Sequence, residues 1–299
     1  MVIKEKVELN AFCSQCSLVN NGCNMEDCKL IGSPDSKNEV EEQSDWIYAL
    51  SHELRTPLNV ILSTIQVSKL NTSGKYSKVK IRYLDIMKQN CLRLLKMVNN
   101  ILEINRLDSG FYSVDLKNDD IVGVIKDITF SITDYAKTKN VKLSFDSNKL
   151  EHVASIDNFQ IERIMLNLLS NAIKFTPSGG EIKVNINIQN TEILISVTDT
   201  GPGIPTEYQN TIFGKCNQTD GKSLVEKKGS GMGLYIVKRL LDNMNGEIYA
   251  FNNKEKGTTV IFSIPNQRLP EAMKEPLTKE YKKCREEYLE IEFSDIYNH

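Results

Sequence analysis

A chain of 299 residues with 40% hydrophobic side chains is long enough for two domains of ordinary size, each with a real core. Its net charge of −2 gives no global attraction to nucleic acid or to an anionic membrane, so no nucleic-acid partner is expected. The N-terminus Met1-Val2-Ile3-Lys4-Glu5-Lys6 lacks an apolar signal core, and no window approaches about 18 consecutive apolar residues. The sequence therefore predicts a cytoplasmic protein without membrane insertion.

Residues 1–43 carry four of the seven cysteines, Cys13, Cys16, Cys23 and Cys28. In a reducing cytosol such a cluster favours metal ligation over disulfides, because thiolates suit zinc and iron-sulfur clusters alike. The spacing is not that of a standard zinc finger, so zinc, an iron-sulfur cluster and four unligated thiols all stay open.

A helical domain is expected over 44–109. The first helix runs from Ser44 or Asp45, as N-cap, to about Leu70, with Leu50, Leu54, Leu58, Ile61 and Ile65 forming an apolar stripe. Asn71-Thr72-Ser73-Gly74 breaks it with turn formers. A second helix over Val79–Leu107 carries Leu84, Met87, Cys91, Leu94, Val98 and Ile101 in a heptad rhythm. Two such helices make a hairpin with apolar surface left over, and pairing two hairpins into a four-helix bundle buries it, so a homodimer is expected.

His52 is one of three histidines, and it lies about 200° round the first helix from both Leu50 and Leu54, pointing away from the stripe. A free imidazole is roughly three-quarters neutral, and so nucleophilic, at pH 7. Glu53 can accept the proton on the other ring nitrogen. Thr56 shares the His52 face one turn on, and Pro57 is expected to bend the helix. A lone surface histidine beside a glutamate is by itself an ordinary solvated helix face.

Over 110–265 the pattern changes to a mixture of strands and helices, read as an α+β layer with helices on one face of a mixed sheet. Strands are expected at Phe111–Leu116, Val141–Phe145, Glu181–Ile188, Glu192–Thr198, Glu247–Phe251 and Thr258–Ile264, and helices at Asp120–Lys139, Asp157–Phe175 and about Gly233–Met244. On the helix 157–175, Asn167, Asn171 and Lys174 share one face opposite the apolar stripe. Asparagine carbonyls can ligate Mg2+, and an ammonium one turn on can meet the same phosphates. Asp199-Thr200-Gly201-Pro202-Gly203 follows an apolar strand, where a carboxylate can accept from the exocyclic amine of adenine. Gly229-Ser230-Gly231-Met232-Gly233 opens a helix whose amides can meet an anion. Gly221-Lys222-Ser223 looks like the tail of a Walker A loop, but the glycine which that motif needs is Cys216.

Taken together these stretches resemble the sensor histidine kinases of two-component systems. Ser51-His52-Glu53-Leu54-Arg55-Thr56-Pro57-Leu58 resembles that family's H box, Asn167 to Thr176 its N box, 199–204 and 229–234 its G1 and G2 boxes, and 256–260 its final glycine motif. The resemblance covers about residues 44–265 and implies a helical hairpin followed by a Bergerat-type α/β sandwich that binds ATP and Mg2+. It implies phosphorylation of His52 and transfer of the phosphoryl group to an aspartate of a response regulator. It further implies that Asn171 is the main Mg2+ ligand with Asn167 in support, that Phe175 lies near the adenine, and that Thr56 belongs to a phosphatase motif. In the wider ATPase family a glutamate one turn before the Mg2+-binding asparagine activates water; Asn167 holds that place here and has no basic oxygen. Ile212-Phe213 resembles the start of the F box in the lid 205–228, whereas Gly214 and Cys216 depart from it. Two readings outside catalysis stay open at this stage, a non-catalytic phosphotransfer protein and a metal-responsive scaffold. The tail 266–299 steps through Leu277, Tyr281, Cys284, Tyr288 and Ile291 as an amphipathic helix would, and is expected to dock on the domain it follows.

Overall fold

The computed structural model describes residues 54–67, 77–109, 113–209, 211–214, 231–270 and 288–294. The four N-terminal cysteines, the caps Ser44 and Asp45, the turn at 71–74 and most of the lid lie outside the described residues. The described chain divides into two compact units: Leu116–Ile212 with Leu241–Leu269, and the described parts of Ser36–Asp115, Phe213–Leu240 and Pro270–His299.

In the first unit the core is a five-stranded mixed sheet in the order β2-β4-β5-β7-β6, with strands β2 (Lys142–Ser147), β4 (Glu181–Ile188), β5 (Glu192–Asp199), β6 (Glu247–Asn252) and β7 (Thr258–Pro265). Only β2 and β4 run parallel. Along β4, Ile182, Val184, Ile186 and Ile188 are buried and alternate with more exposed polar residues, the period-two pattern of a sheet with one covered face. That cover comes from α5 (Asn158–Phe175), which lies on β5 and also packs against α3 (Ile121–Ser131). Asp157 caps α5, its Oδ1 accepting from the amides of Phe159 and Gln160 at 3.0 and 3.1 Å, which satisfies orphan donors of the first turn.

Three expectations are corrected here. The single helix expected over 120–139 is two, α3 and α4 (Thr133–Thr138), parted at Ile132. Thr129, Ser131 and Thr133 each donate a hydroxyl to a carbonyl three or four residues back, which competes with the helix ladder. The apolar steps Ile125, Ile128, Ile132 and Ala136 continue across the break, so periodicity does not register it. No strand occupies 113–116; β1 is Lys117–Asp120, paired antiparallel with β3 (Val153–Ile156), a strand absent from the sequence reading. The sequence Lys-Asn-Asp-Asp has no apolar alternation to announce a strand, and only its partner makes it one.

In the second unit, α1 covers described residues 54–67, helical through Pro57, and α2 is Ser77–Asp108. The stripe of α1 is shifted: Pro57 and Thr64 are buried, whereas Leu58 stays 48% and Leu62 50% exposed. On α2 the heptad divides into two lines. Met87, Leu94 and Ile101 are half-buried, while Leu84, Cys91 and Val98 are exposed, joined by Leu95 and Leu102. One line is consumed within the unit and the other is left open. Described residues 288–294 also belong to this unit, with 288–292 helical. Residues 288–294 are thus tied to α2, whereas residues 266–269 stay on the sheet domain, where Arg268 donates to the Val153 carbonyl and the Leu269 amide to Asn118.

Candidate nucleotide site

Asp199 ends β5, half-buried, and its Oδ1 accepts from the amide of Gly201 at 2.7 Å and of Thr258 at 3.4 Å. Burial pushes the carboxyl above its usual range, and the two backbone amides pull it partly back. The remaining oxygen can accept from a base amine. The loop carrying Gly201 and Gly203 is pinned by a residue the sequence reading missed: Asn252 at the end of β6 accepts from the amide of Ile204 at 2.6 Å and donates to its carbonyl at 2.8 Å. Gly203 has φ +86°, and a Cβ there would stand 3.0 Å from Asn252 Oδ1. Thr259, bonded to Thr198 at 3.0 Å and to Asn253 at 2.7 Å, braces the same end of the sheet. The Asn252-Asn253 pair reads as a turn in sequence; a contact across 48 residues leaves no local pattern.

On α5 the expected polar face is not found as such. Every residue from Gln160 to Ser170 is buried, Asn167 included, and the Asn167 amide donates to the Arg163 carbonyl at 3.0 Å. The helix is covered all round at this level, so Asn167 faces protein where solvent was expected. Polar exposure begins a turn later. Asn171 and Lys174 are half-buried and Phe175 is 47% exposed. The Lys174 ammonium lies 5.4 Å from the Phe175 ring centroid, close enough for a cation–π contact. Lys139 closes the helix end by donating to the carbonyls of Ile173 and Lys174 at 2.6 and 2.5 Å. Among the described residues the Asn171 side chain makes no hydrogen bond. A half-buried amide oxygen of this kind is a donor that fits Mg2+, a hard cation that keeps several waters and takes few protein ligands. No group of three His, Cys, Asp or Glu among the described residues could hold a metal.

Gly231, with φ +66°, and Gly233 open α6 (Met232–Asn243); Gly229 and Cys216 lie outside the described residues. Ile212 and Phe213 are buried. Along α6, Tyr235 donates its hydroxyl to Asp108 at 2.9 Å, and Arg239 Nε lies 3.3 Å from the same carboxylate, so the last residue of α2 anchors this helix. His52 and Glu53 lie outside the described residues, whereas Thr56 is exposed on α1. His152, the other histidine within reach of the described chain, is tied to Asn266 at 2.8 Å.

Two family models match the chain in succession: the His Kinase A phospho-acceptor domain over residues 42–110, and the histidine kinase-, DNA gyrase B- and HSP90-like ATPase over residues 156–268. The chain is 34% identical over 208 residues to the sensor histidine kinase TmoS of Ectopseudomonas mendocina, covering 69% of this chain and 21% of that protein. It is 28% identical to the autoinducer 2 sensor kinase/phosphatase LuxQ of Vibrio parahaemolyticus, covering 77% of this chain and 27% of that protein. Among solved structures, histidine kinase ThkA in complex with response regulator protein TrrA aligns with a TM-score of 0.59 at 24% identity, covering 78% of this chain and 68% of that one. The chain spans only about a fifth to a quarter of these two curated relatives.

Proposed function

The chain belongs to the sensor histidine kinases of two-component systems, and we propose from this that it is an ATP-dependent protein histidine kinase that phosphorylates its own His52. The observation that carries the proposal is the Asp199 carboxylate, held at the edge of β5 by Gly201 and Thr258, in a chain whose phospho-acceptor model includes His52. The domains are a hairpin over 44–109 and an ATP-binding domain over 110–265.

Asp199 accepts from the adenine amine, Phe175 flanks the base, and the glycines at 201, 203, 229, 231 and 233 let backbone amides approach the nucleotide. Asn171, supported by Asn167, would hold Mg2+, which supplies charge neutralisation at the phosphates. Lys174 meets the same phosphates. The neutral ring nitrogen of His52 attacks the γ-phosphorus; a P–N bond forms, the bond from phosphorus to the bridging oxygen breaks, and ADP leaves with the electron pair. Glu53 takes the proton from the other ring nitrogen. With an amide in place of a carboxylate at Asn167, water is poorly activated, and the γ-phosphoryl is kept for the histidine.

The phosphoryl group then passes to an aspartate of a response-regulator receiver domain, and Thr56 positions water for the reverse, phosphatase reaction. The exposed line Leu84, Cys91, Leu95, Val98 and Leu102 supports a homodimer, since a second copy would cover it. Use of ATP places these two domains on the cytoplasmic side. The matched models begin at residue 42, and neither supports zinc or an iron-sulfur cluster at Cys13, Cys16, Cys23 and Cys28. The test is incubation with γ-labelled ATP and Mg2+. Wild type should take up label that is stable in alkali and labile in acid, and His52→Gln should take up none. Absence of such label from wild type refutes the proposal.

A further inference from the structure

Residues 288–294 lie beyond both matched family models, the second of which ends at 268. They nonetheless make a deeply buried ion pair. Lys96 of α2 lies 3.1 Å from the Glu292 carboxylate, with the two side chains 14% and 3% exposed. The same ammonium donates to the Glu292 backbone carbonyl at 2.7 Å. Two turns earlier on α2, Lys88 pairs with Glu290 at 2.5 Å on the exposed rim, and Glu290 holds the Lys88 ammonium above its usual range. Phe293 has no exposed surface and Ser294 almost none. Seven residues cannot bury a phenyl ring by themselves, so the segment is seated on its unit, and the two ion pairs identify α2 as the seat. The turn is closed locally by the Phe293 amide on the Leu289 carbonyl and the Ser294 hydroxyl on the Ile291 carbonyl.

The seat is specific in charge and in place. Lysines on α2 meet glutamates on the tail; Lys96 lies about 100° round the helix from Leu95, off the open apolar line, whereas Lys88 stands one heptad before Leu95 and about 20° from it, beside that line. Leu84, Leu95, Val98 and Leu102 stay between 43% and 61% exposed with the segment in place, so the seated segment leaves these side chains open to a second copy.

We propose that residues 288–294 form a strap, with the Lys88–Lys96 flank of α2 as its docking surface and the chain's own C-terminal segment as the occupant, and that the seated strap restrains autophosphorylation. The second half rests on the kinase function proposed above. The strap follows the last strand of the sheet domain in sequence, so its seat adds a further chain connection between that domain and the unit of the hairpin, besides those through residues 109–116 and at either end of Phe213–Leu240. A domain that must carry a γ-phosphate to a histidine on the hairpin loses freedom with each added connection. A buried ion pair suits a releasable catch, because removing either partner leaves the other charge stranded.

The experiment compares four full-length proteins: wild type, Glu292→Lys, Lys96→Glu and the double reversal. Amide hydrogen exchange is read at residues 288–294 and 88–96, and the initial rate of His52 labelling by γ-labelled ATP is read beside it. Each single reversal should speed exchange at 288–294 at least tenfold and raise the labelling rate several-fold, and the double reversal should restore both. Glu292→Gln, which keeps the shape and changes no residue of the hairpin, should move both readouts in the same direction by less. Unchanged exchange in Glu292→Lys overturns the seat. Faster exchange with an unchanged or slower labelling rate overturns the restraint. Label on none of the four, with exchange behaving as stated, refutes the kinase function and the restraint while upholding the seat.

Discussion

Gly257 lies so close to Asp199 that a Cβ on it would stand 1.9 Å from the Asp199 carbonyl oxygen. The glycine also holds φ +94°, a conformation that favours glycine. The last glycine motif of the chain therefore works as a spacer that lets β7 begin against the end of β5. Gly257→Ala must displace one of the two backbones. It is expected to cost about 2–4 kcal/mol, combining left-handed strain with overpacking, and to abolish measurable ATP binding. Denaturant unfolding and calorimetric titration with ATP check the two effects separately.

Asp199→Asn is expected to separate binding from stability. The amide oxygen can still accept from Gly201 and Thr258, but the NH2 group opposes the adenine amine, so ATP affinity should fall about ten- to a hundredfold, the worth of a charge-assisted bond. Because burial raises the folded-state pKa, the folded protein holds this proton more tightly than the unfolded chain does. The stability conferred by protonation is full below the ordinary aspartate range and is lost as pH rises through the raised value. At neutral pH the carboxylate is thus a net cost to folding, and the variant should unfold at an equal or higher temperature than wild type. Wild-type ATP affinity should begin to fall, on acidification, at a higher pH than an ordinary aspartate would give. Thermal melts and titrations across weakly acidic pH test both statements.

Asn171→Ala removes the amide oxygen assigned to Mg2+ and leaves the buried length of α5 intact. The expected result is loss of the Mg2+-dependent part of ATP affinity, with the Mg2+-independent part within about twofold of wild type. Autophosphorylation should fall by two orders of magnitude or more, on the order of a lost electrostatic stabiliser of the transferring group. Titration with and without Mg2+ separates this from general damage to the domain.

Val98→Asp on the open line of α2 should convert a dimer into a monomer without unfolding the hairpin, because Val98 is 43% exposed and a charge there meets water in the monomer. Sedimentation at micromolar concentration, with helicity from circular dichroism, is the check.

Thr56→Ala, at an exposed position on α1, should leave autophosphorylation within about twofold of wild type and slow dephosphorylation of the partner about a hundredfold, the lower end of what a positioned proton-transfer group contributes. Equal loss of both activities would place Thr56 in the structure of the helix and remove it from the chemistry.

The sequence by itself determined the elements whose period is unbroken and the motifs whose order is fixed. β4, whose buried residues alternate over eight positions, and α5, with its cap at Asp157, lie where their patterns place them, as do β5, β6, β7 and the long helix α2 within a residue or two at either end. Asp199 and its glycines were legible because a carboxylate and two glycines after an apolar strand have a local meaning. Only the tertiary structure decided the rest. It made a strand of Lys117–Asp120 by giving it β3 as a partner, buried Asn167 by covering α5 all round, and pinned Ile204 with Asn252. It also left Leu58 exposed while burying Pro57, and seated Glu292 on Lys96 across 196 residues. Periodicity reports what one element offers a neighbour; which neighbour accepts is settled by contacts far apart in the chain, and those depend on the whole packing at once.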